Sequence, residues 1–235
     1  AAILAARAAY RTGAGMVKVI TAEENRQILQ QGIPEALYGS WRQLSESLEW
    51  ADVIAIGPGI GKEEQALECL KKVVRKSRKP LVLDADALNL LAEKNGKPLA
   101  EELRTQGAEG RVIILTPHVG ELSRLLEHSI PECKQALPAC TRVLAECFHG
   151  VAVAKDARTV VCKEQGEYYL NTTGNNGMAT AGSGDVLAGV ILGLLAHRQD
   201  FCLRCNIFLH MKHILPDGIQ INFCPYSLIG IYLFL

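Results

Sequence analysis

The sequence has no excess of charge of either sign. Its 25 lysine and arginine residues balance its 25 aspartate and glutamate residues, so the formal net charge is zero. Proteins that bind nucleic acid or acidic surfaces through their overall electrostatic field carry a basic surplus. The balanced charge gives no support to such partners, and we expect no nucleic acid to bind.

Long apolar runs and export signals are also missing. The apolar segment "SLIGIYLFL" (227–235) is far shorter than the roughly 20 residues that a membrane-spanning helix needs. No signal peptide is visible at the start of the sequence, which already follows a helical pattern. We therefore expect no membrane association and a cytoplasmic location.

The eight cysteines do not form a disulfide framework. They lie on apolar or helical stretches rather than at the spacings of a small secreted scaffold. The C-x-x-C at 202–205 has neither a second pair nor a thioredoxin-like context, which favours coincidence over a redox or zinc site. Four cysteines are interpreted as buried or half-buried thiols in a reducing compartment: Cys69, Cys133, Cys140 and Cys147.

The two usual nucleotide fingerprints are missing as well. The glycine-rich "GPGIG" (57–61) follows an apolar strand pattern, but it is not G-x-G-x-x-G. It also lacks the lysine of a P-loop. A nucleotide site, if present, must therefore be built in another way.

What the sequence does contain is an alternation of short apolar strands with helices. A hairpin is predicted at 159–162 and 168–171, around the turn "KEQG". This alternation indicates an α/β fold, a three-layer α/β/α sandwich with a mostly parallel central sheet. The other predicted strands are 16–20, 53–57, 81–86, 112–117 and 151–155, and the helices are 1–12, 62–77, 87–94, 119–127, 132–148 and 185–196.

Ligands of open α/β sheets bind beyond the carboxyl ends of the strands, so the residues after each strand should crowd one rim. The segments concerned are "GPGIG" (57–61), "DAD" (84–86), "TPHVGE" (116–121), "KDART" (155–159) and, before the last helix, "GSGD" (182–185). The glycines of "GSGD" allow close backbone approach, and the dipole of the helix predicted from Asp185 favours an anion such as phosphate.

Asp185 is an unusual residue for a site that only binds phosphate, because an ionised carboxylate repels phosphate. It makes better sense as a base, or an orienting acceptor, for a substrate hydroxyl next to the phosphate. The alternative, equally open on the loop alone, is an ordinary carboxylate in the first turn of a helix.

Four other rim residues are candidates, each with a structural alternative. His118 is either a ligand contact or a structural histidine. Asp84 and Asp86 could bind a metal ion or satisfy backbone groups, and Asp86 could cap the next helix. Lys155 could meet a phosphate or be a solvated lysine at a strand end.

In order and spacing, six segments resemble the ADP/ATP-dependent NAD(P)H-hydrate dehydratases, carbohydrate-kinase-like repair enzymes with the ribokinase-like fold. The resemblance covers residues 1 to about 196, and its last segment is very specific. The segments are "AAILAARAAYRTGAGMVKV", "ADVIAIGPGIG", "PLVLDADALNLLA", "ILTPHVGEL", "KDART" and "NTTGNNGMATAGSGDVLAGVI".

The resemblance implies a hydro-lyase that removes water from hydrated NADH or NADPH, with ADP or ATP as co-substrate and Mg²⁺ bridging phosphates. It implies that the hydroxyl of the hydrate is phosphorylated and that phosphate then leaves. Asp185 would face that hydroxyl. The hydrate-contacting positions would be Ala1, Gly59, His118 and Asp185, and the nucleotide-contacting positions Lys155, Asp156, Ala157, Arg158, Thr159 and Gly184. Family members often assemble, so a homo-oligomer is expected.

The sequence departs from the family in three places. Asp156 stands where the family usually has glycine, which puts a second carboxylate near the expected phosphates. The chain starts after the family's first strand and small loop, and residues 198–235 lack the expected His-Gly-x-Ala-Gly-Asp pattern. We therefore predict a dehydratase-like domain over 1–197, without that strand, and a divergent tail over 198–235.

Two alternative functions stay open at this point. One is a small-molecule kinase of the same fold, acting on a vitamin-precursor alcohol, since such a kinase would use the glycine loop and Asp185 similarly. The other is an inactive nucleotide-binding fragment, which the altered start and tail would favour.

Overall fold

The computed structural model describes residues 1–164, 166, 168–172, 179–197 and 230–234. Within these residues, nine strands form one sheet in the order β2-β1-β9-β3-β4-β5-β6-β7-β8. They are β1 Met16–Ile20, β2 Leu37–Gly39, β3 Val53–Ile56, β4 Leu81–Leu83, β5 Ile113–Leu115, β6 Val151–Ala154, β7 Val160–Lys163, β8 Tyr168–Leu170 and β9 Gly230–Phe234. Neighbours from β2 to β6 are parallel, and β7 is antiparallel to both β6 and β8.

Helices cover both faces of the sheet. In the described residues these helices are α1 Ala2–Arg11, α2 Arg26–Gly32, α3 Leu44–Trp50, α4 Glu64–Lys76, α5 Ala85–Ala92, α6 Lys97–Ala108, α7 Val119–Leu126, α8 Ile130–Gln135, α9 Leu137–Cys147 and α10 Ser183–His197. Helices α1, α2 and α10 share one apolar cluster with the sheet, and α3 to α9 share the other. The predicted three-layer α/β/α arrangement with a mostly parallel sheet is thus confirmed.

The two clusters arise from the pleat of the strands, which points successive side chains to opposite faces. In β3, Val53 and Ala55 pack towards α1 and α10, while Ile54 and Ile56 pack towards the helices on the other side. All four residues are buried. This explains why the central strands are continuous apolar runs instead of alternating patterns.

Helix α10 lies directly against the alanine-rich α1, and this packing positions the rim residues at their first turns. At Gly189 of α10 an added Cβ atom would stand 2.1 Å from the backbone oxygen of Ala5. Only glycine permits so close an approach of the two backbones. As a result, the N-terminal ends of both helices lie side by side.

Most predicted elements match the structure, with two corrections and several omissions. The segment 132–148 is two helices, because Pro138 in the first turn of α9 has no N–H to donate and crowds the preceding turn. The last helix starts at Ser183, not at Asp185, so Gly184 belongs to its first turn. The sequence patterns did not indicate α2, α3, α6, β2 or β9.

Strand β9 occupies a central position in the sheet, where it pairs in parallel with both β1 and β3. Residues 198–229, which belong to the predicted tail, lie outside the described residues. The division into a domain at 1–197 and a tail at 198–235 stays a prediction. In the described part of the chain, none of the helices is long and apolar enough to cross a membrane.

Candidate functional site

Three neighbouring strands bring a partly buried ion pair to the rim. Asp84 follows β4 and Lys155 follows β6, and the Lys155 Nζ atom lies 2.6 Å from an Asp84 carboxylate oxygen. Thr116, after the intervening β5, donates its hydroxyl to the same oxygen over 2.7 Å. Asp84 is 2 % exposed. The pairing therefore fixes the Lys155 ammonium at the carboxyl edge of the sheet.

The backbone beside this ion pair is strained. Ala85, the residue after Asp84, has a φ of 47°, in the left-handed region that a residue with a Cβ atom rarely adopts. Such strain persists only where the surrounding structure imposes it, and it is common at functional sites. Here the strained residue is the first of α5, directly after the carboxylate that holds Lys155.

His118 caps helix α7 with its side chain. Its Nδ1 atom accepts hydrogen bonds from the backbone N–H groups of Gly120, at 2.9 Å, and Glu121, at 3.4 Å. Burial lowers the pKa of His118, and the charges of Lys155 and Arg124 lower it further. The ring is therefore neutral near pH 7, with its proton on Nε2. This N–H group lies 3.3 Å from a carboxylate oxygen of Glu121, and the His118 side chain is 54 % exposed, so the ring is held by Glu121 while one edge faces solvent.

Glu121 forms the reciprocal hydrogen bond of this capping box from a buried position. Its carboxylate accepts the backbone N–H of His118 over 2.8 Å, and the residue is 4 % exposed. Burial raises the pKa of Glu121. We refer to the set Asp84, Thr116, His118, Glu121 and Lys155 as the rim network. A parallel β-bridge between His118 and Lys155 joins the capping box to the ion pair.

The N-terminus of α10 lies next to the Lys155 ammonium. A Cβ atom added at Gly184, in the first turn of α10, would stand 3.5 Å from Lys155 Nζ. The dipole of this 15-residue helix favours an anion at this end, although the N–H groups of Ser183 and Val186 already donate to the carbonyls of Thr180 and Gly182. Two sources of positive potential thus meet at one point, which is a good place for a phosphate.

Asp185 lies in the first turn of the same helix and faces the start of α1. Its Oδ2 atom is 3.6 Å from the backbone nitrogen of Ala1, and its side chain is 21 % exposed. The carboxylate is therefore neither buried in a hydrogen-bonded network nor fully solvated. The structure brings together Asp185 and Ala1, two of the predicted substrate positions.

Gly182 lies just before α10 and has a backbone conformation that glycine adopts far more easily than other residues. Its φ is 87°, and an added Cβ atom would stand 2.3 Å from Leu4 Cδ1 and 3.7 Å from Asp185 Oδ2. The turn thereby directs the chain from the loop into α10 next to α1. Residues 175–178 of the glycine-rich segment lie outside the described residues.

A cavity of about 260 Å³ opens beside Ala1 and Gly59, and Thr21, Asn25 and Pro58 also line it. Ala1 and Gly59 line this cavity, and Asp185 lies against Ala1; we call these three predicted substrate residues the substrate side. His118, the fourth predicted substrate residue, belongs to the rim network.

The predicted nucleotide-contacting residues are only partly brought together. Lys155 and Gly184 are adjacent, as described above. Asp156, Ala157 and Arg158 are exposed in the loop between β6 and β7, and Thr159 is half-buried. These four positions stay predictions.

The two rim aspartates have different structural partners. Asp84 holds Lys155 and Thr116. Asp86 accepts the backbone N–H of Gly61 over 3.1 Å, which fastens the "GPGIG" loop to α5. Helix α5 has Asp84, not Asp86, at its N-cap position. The structure thus supports the alternative in which these carboxylates satisfy groups of the protein itself.

Thr116 and Glu121 were not singled out by the sequence reading. Both lie in "TPHVGE", directly around His118. A glutamate three residues after a capping residue is the known signal of a capping box, which usually starts with serine or threonine. Because His118 stands in the first position, the sequence does not match the usual capping-box pattern.

Comparison with known proteins extends these observations. The family model described as NAD(P)H-hydrate dehydratase matches residues 1–211. The bifunctional NAD(P)H-hydrate repair enzyme Nnr of Escherichia coli is 43% identical over 193 residues, 81% of this chain and 35% of that enzyme. The chain thus spans little more than one third of the length of this curated relative.

Two solved structures share the fold. The ADP/ATP-dependent NAD(P)H-hydrate dehydratase of Bacillus subtilis, co-crystallised with ATP/Mg²⁺, superposes with a TM-score of 0.68 at 28% identity, over 89% of this chain and 73% of that one. A ribokinase-like superfamily protein from Enterococcus faecalis gives 0.72 at 30% identity, over 93% and 76%. The predicted ribokinase-like fold is therefore confirmed, and the chain belongs to the NAD(P)H-hydrate dehydratase family.

Proposed function

We propose that this protein is a hydro-lyase that dehydrates hydrated NADH or NADPH at the expense of ADP or ATP. The observation that carries the proposal is that an anion site and a carboxylate belong to two consecutive residues, Gly184 and Asp185. Gly184 lies beside the Lys155 ammonium, and Asp185 turns to the substrate side. A phosphate and the hydroxyl that attacks it can therefore be held within one small space.

In this reaction the hydroxyl oxygen of the hydrate attacks the terminal phosphorus of the nucleotide. A new O–P bond forms, and the bond from phosphorus to the departing nucleotide breaks. Asp185 accepts the proton of the hydroxyl, or orients it for the attack. The C–O bond then breaks with phosphate leaving, and the neighbouring ring carbon loses a proton as the double bond is restored.

The phosphoryl group would be held mainly by fixed positive potential. Lys155 is positioned by Asp84, and the N–H groups of Gly184 and Asp185, between the bonded N–H groups of Ser183 and Val186, would meet the anion at the start of α10. The neutral His118 ring would redirect its Nε2–H, which lies 3.3 Å from Glu121 Oε1, to a molecule bound at the rim. This donor suits an oxygen of the hydrated nicotinamide.

The loop residues Asp156, Ala157, Arg158 and Thr159, together with Lys155 and Gly184, are the proposed nucleotide contacts. The exposure of the first three leaves them free to turn towards an adenine nucleotide. The Asp156 carboxylate would then point away from the phosphates, since two negative groups at that distance repel each other.

Mg²⁺ fits the residues present as an ion carried mainly by the nucleotide. It prefers hard oxygen ligands and commonly uses one or two carboxylates together with substrate phosphates. Among the described rim residues, Asp84 and Asp86 offer such oxygens, although both already accept hydrogen bonds. The ion would neutralise charge on the phosphates, while Lys155 and the α10 N-terminus bind the same anion from the protein side.

Three further statements belong to the proposal. The catalytic domain would comprise residues 1–197, with 198–235 as a divergent tail. The location would be cytoplasmic, which agrees with the buried free thiols of Cys69, Cys133, Cys140 and Cys162. The protein would act on small molecules, and copies of it would assemble into a homo-oligomer.

One assay separates this function from the kinase and binding alternatives, neither of which the family match favours. Chemically hydrated NADH is supplied with Mg²⁺ and either ADP or ATP, and the absorbance of the reduced nicotinamide is followed. Nucleotide-dependent recovery of that absorbance is expected. Phosphorylation of an alcohol without recovery would instead indicate a kinase, and nucleotide binding without any turnover would indicate an inactive protein.

A further inference from the structure

A second group of polar residues lies away from the rim. In the described part of the chain, one set of at least three metal-ligating side chains converges: His128, Cys133 and Cys140. One ligand atom from each lies within 4.8 Å of the other two. His128 and His118 lie just beyond opposite ends of α7, whose eight residues span about 12 Å. The cluster is therefore separate from the proposed active site.

The distances come close to those of a tetrahedral metal centre. Metal–sulfur bonds of about 2.3 Å and metal–nitrogen bonds of about 2.0 Å place sulfur and nitrogen ligands about 3.5 Å apart. The Cys140 Sγ atom already lies 3.9 Å from His128 Nδ1. For this pair a shift of a few tenths of an ångström would reach the tetrahedral value, and the other two pairs, within 4.8 Å, need a shift of at most about 1 Å, which side-chain rotation can supply.

The backbone that carries the ligands is fixed. The N–H of His128 donates to the Ser123 carbonyl over 3.1 Å, and the Ser123 hydroxyl donates to the His128 carbonyl over 2.6 Å. Ser129 and Glu132 then form a capping box that starts α8 one residue later. The ligands thus need little ordering when an ion binds, which favours affinity.

Burial and charge at the cluster also suit a cation. The thiols of Cys133 and Cys140 are 0 % and 6 % exposed, whereas His128 is exposed. An ion could therefore enter from the histidine side, displace the thiol protons and keep one position open for water. The carboxylate of Glu132 next to this entrance adds negative potential.

From this arrangement we infer that His128, Cys133 and Cys140 form a binding site for a zinc-like transition metal ion. Two sulfurs and one imidazole favour Zn²⁺ over hard ions such as Mg²⁺ or Ca²⁺. The bound ion would fasten the end of α7 to α8 and α9, which are joined by a single residue. Its role would be to stabilise this side of the fold, not to take part in the chemistry at the rim.

A redox role for the two thiols is less well supported. Burial, reinforced by the neighbouring Cys140, raises the pKa of Cys133 to about 11. The protonated thiol is a weak nucleophile, so the cysteine resists oxidation by exchange. A metal ion, in contrast, binds the thiolate directly and shifts the protonation equilibrium itself.

The test is a titration of the purified full-length chain with Co²⁺, a spectroscopic substitute for Zn²⁺. Cys202→Ser and Cys205→Ser are introduced first, so that the C-x-x-C segment does not contribute. We expect one equivalent of Co²⁺ to produce the visible bands of a tetrahedral ion and the near-ultraviolet band of sulfur–cobalt charge transfer. Zn²⁺ should then displace Co²⁺ and abolish these bands.

Three variants in this background decide the assignment. His128→Ala changes an exposed side chain, and Cys133→Ser removes a buried ligand; each should weaken binding by more than about 100-fold. Cys147→Ser, a half-buried cysteine outside the cluster, should leave the spectrum unchanged. Bands that persist in His128→Ala and Cys133→Ser, or no Co²⁺ binding at all in a folded chain, would overturn the inference.

Discussion

The rim network and the substrate side lie next to each other but are built in different ways. In the rim network, Asp84 and Glu121 are almost fully buried and each accepts hydrogen bonds from neighbouring residues. On the substrate side, Asp185 is 21 % exposed and lies against Ala1, which lines an open cavity. The difference suggests a division of work: the network holds charges in fixed positions, whereas the substrate side leaves its carboxylate available to react.

The largest expected effect concerns Asp185, the reactive residue of the substrate side. Asp185→Asn should lower turnover of hydrated NADH by about 10²- to 10⁴-fold, because the amide cannot accept the hydroxyl proton. Nucleotide binding should not weaken, since the variant removes a negative charge next to the phosphates. Steady-state kinetics and calorimetric titration with ADP measure the two effects.

Glu109→Gln is a suitable control for this variant, since it neutralises an exposed carboxylate that precedes β5 and so lies at the edge of the sheet opposite the rim. It should leave both quantities unchanged. Unchanged turnover in Asp185→Asn would remove this residue from the mechanism and would end the proposed division between the two regions.

The next effect concerns the ion pair of the rim network. Lys155→Met leaves the Asp84 carboxylate buried without its cation, which should lower the free energy of unfolding by about 1–3 kcal/mol. Adding Asp84→Asn should restore part of this loss, because the amide carries no charge and can still accept the Thr116 hydroxyl. Urea denaturation of the single and double variants measures the recovery.

The same two variants also test the anion site. Both lack the Lys155 ammonium, so both should bind ADP more weakly than the wild-type protein, whatever their stability. If the double variant bound ADP normally, Lys155 would be a structural residue alone. If it were no more stable than Lys155→Met, the Asp84–Lys155 pair would not be the source of the destabilisation.

A smaller effect is expected at the turn between the two regions. Gly182→Ala places a Cβ atom at a φ of 87° and 2.3 Å from Leu4, and should cost at least about 1–2 kcal/mol of stability. Gly166→Ala is a matched control, since Gly166 has a φ of 76° with open space around it. Thermal unfolding should show the larger loss for Gly182→Ala; equal losses would mean that Leu4 moves freely.

The smallest effect is the pH dependence of His118. Its pKa in the folded protein is lowered from the ordinary 6.5, so the unfolded chain takes up this proton first as the pH falls. Stability should therefore decrease as the pH drops below about 6.5, until the folded protein is protonated too. His118→Asn, which keeps a capping acceptor, should lose this part of the decrease.

Unfolding by urea between about pH 7 and about pH 5.5 measures the difference between the two proteins. Both proteins carry Glu121→Gln in this comparison, because the Glu121 carboxylate lies 3.3 Å from His118 Nε2 and would titrate differently in the two. A variant with the same pH profile as its His118 counterpart would show that the His118 ring is not held in its neutral form.

Local pattern was enough to predict most of the sheet, though not β2 or β9, and most of the helices around it. Apolar runs bounded by glycine and proline identified β3 to β6, and the rule that ligands bind at the carboxyl ends of strands identified the rim. Pro138 in the sequence also predicts the break between α8 and α9, because proline favours the first turn of a helix over its interior. The helical period on either side of Pro138 favours one continuous helix over 132–148, and this period misled the prediction.

The contacts of the rim were beyond the reach of local pattern. Asp84 and Lys155 are 71 positions apart, and they meet because β5 lies between β4 and β6 in the sheet. That order is a property of the whole fold, as is the strained φ of Ala85. The sequence identified both charged residues as candidates, but not that each is the partner of the other.

The position of β9 also bears on how the protein acquires its fold. Met16 pairs with Gly230, so the strand that joins β1 to β3 is supplied from near the other end of the sequence. Until it arrives, β1 and β3 both present open hydrogen-bonding edges, and such edges invite association with other chains. Pairings between such distant residues also slow folding. During synthesis on the ribosome, the nascent protein would therefore depend on chaperones to shield these two edges.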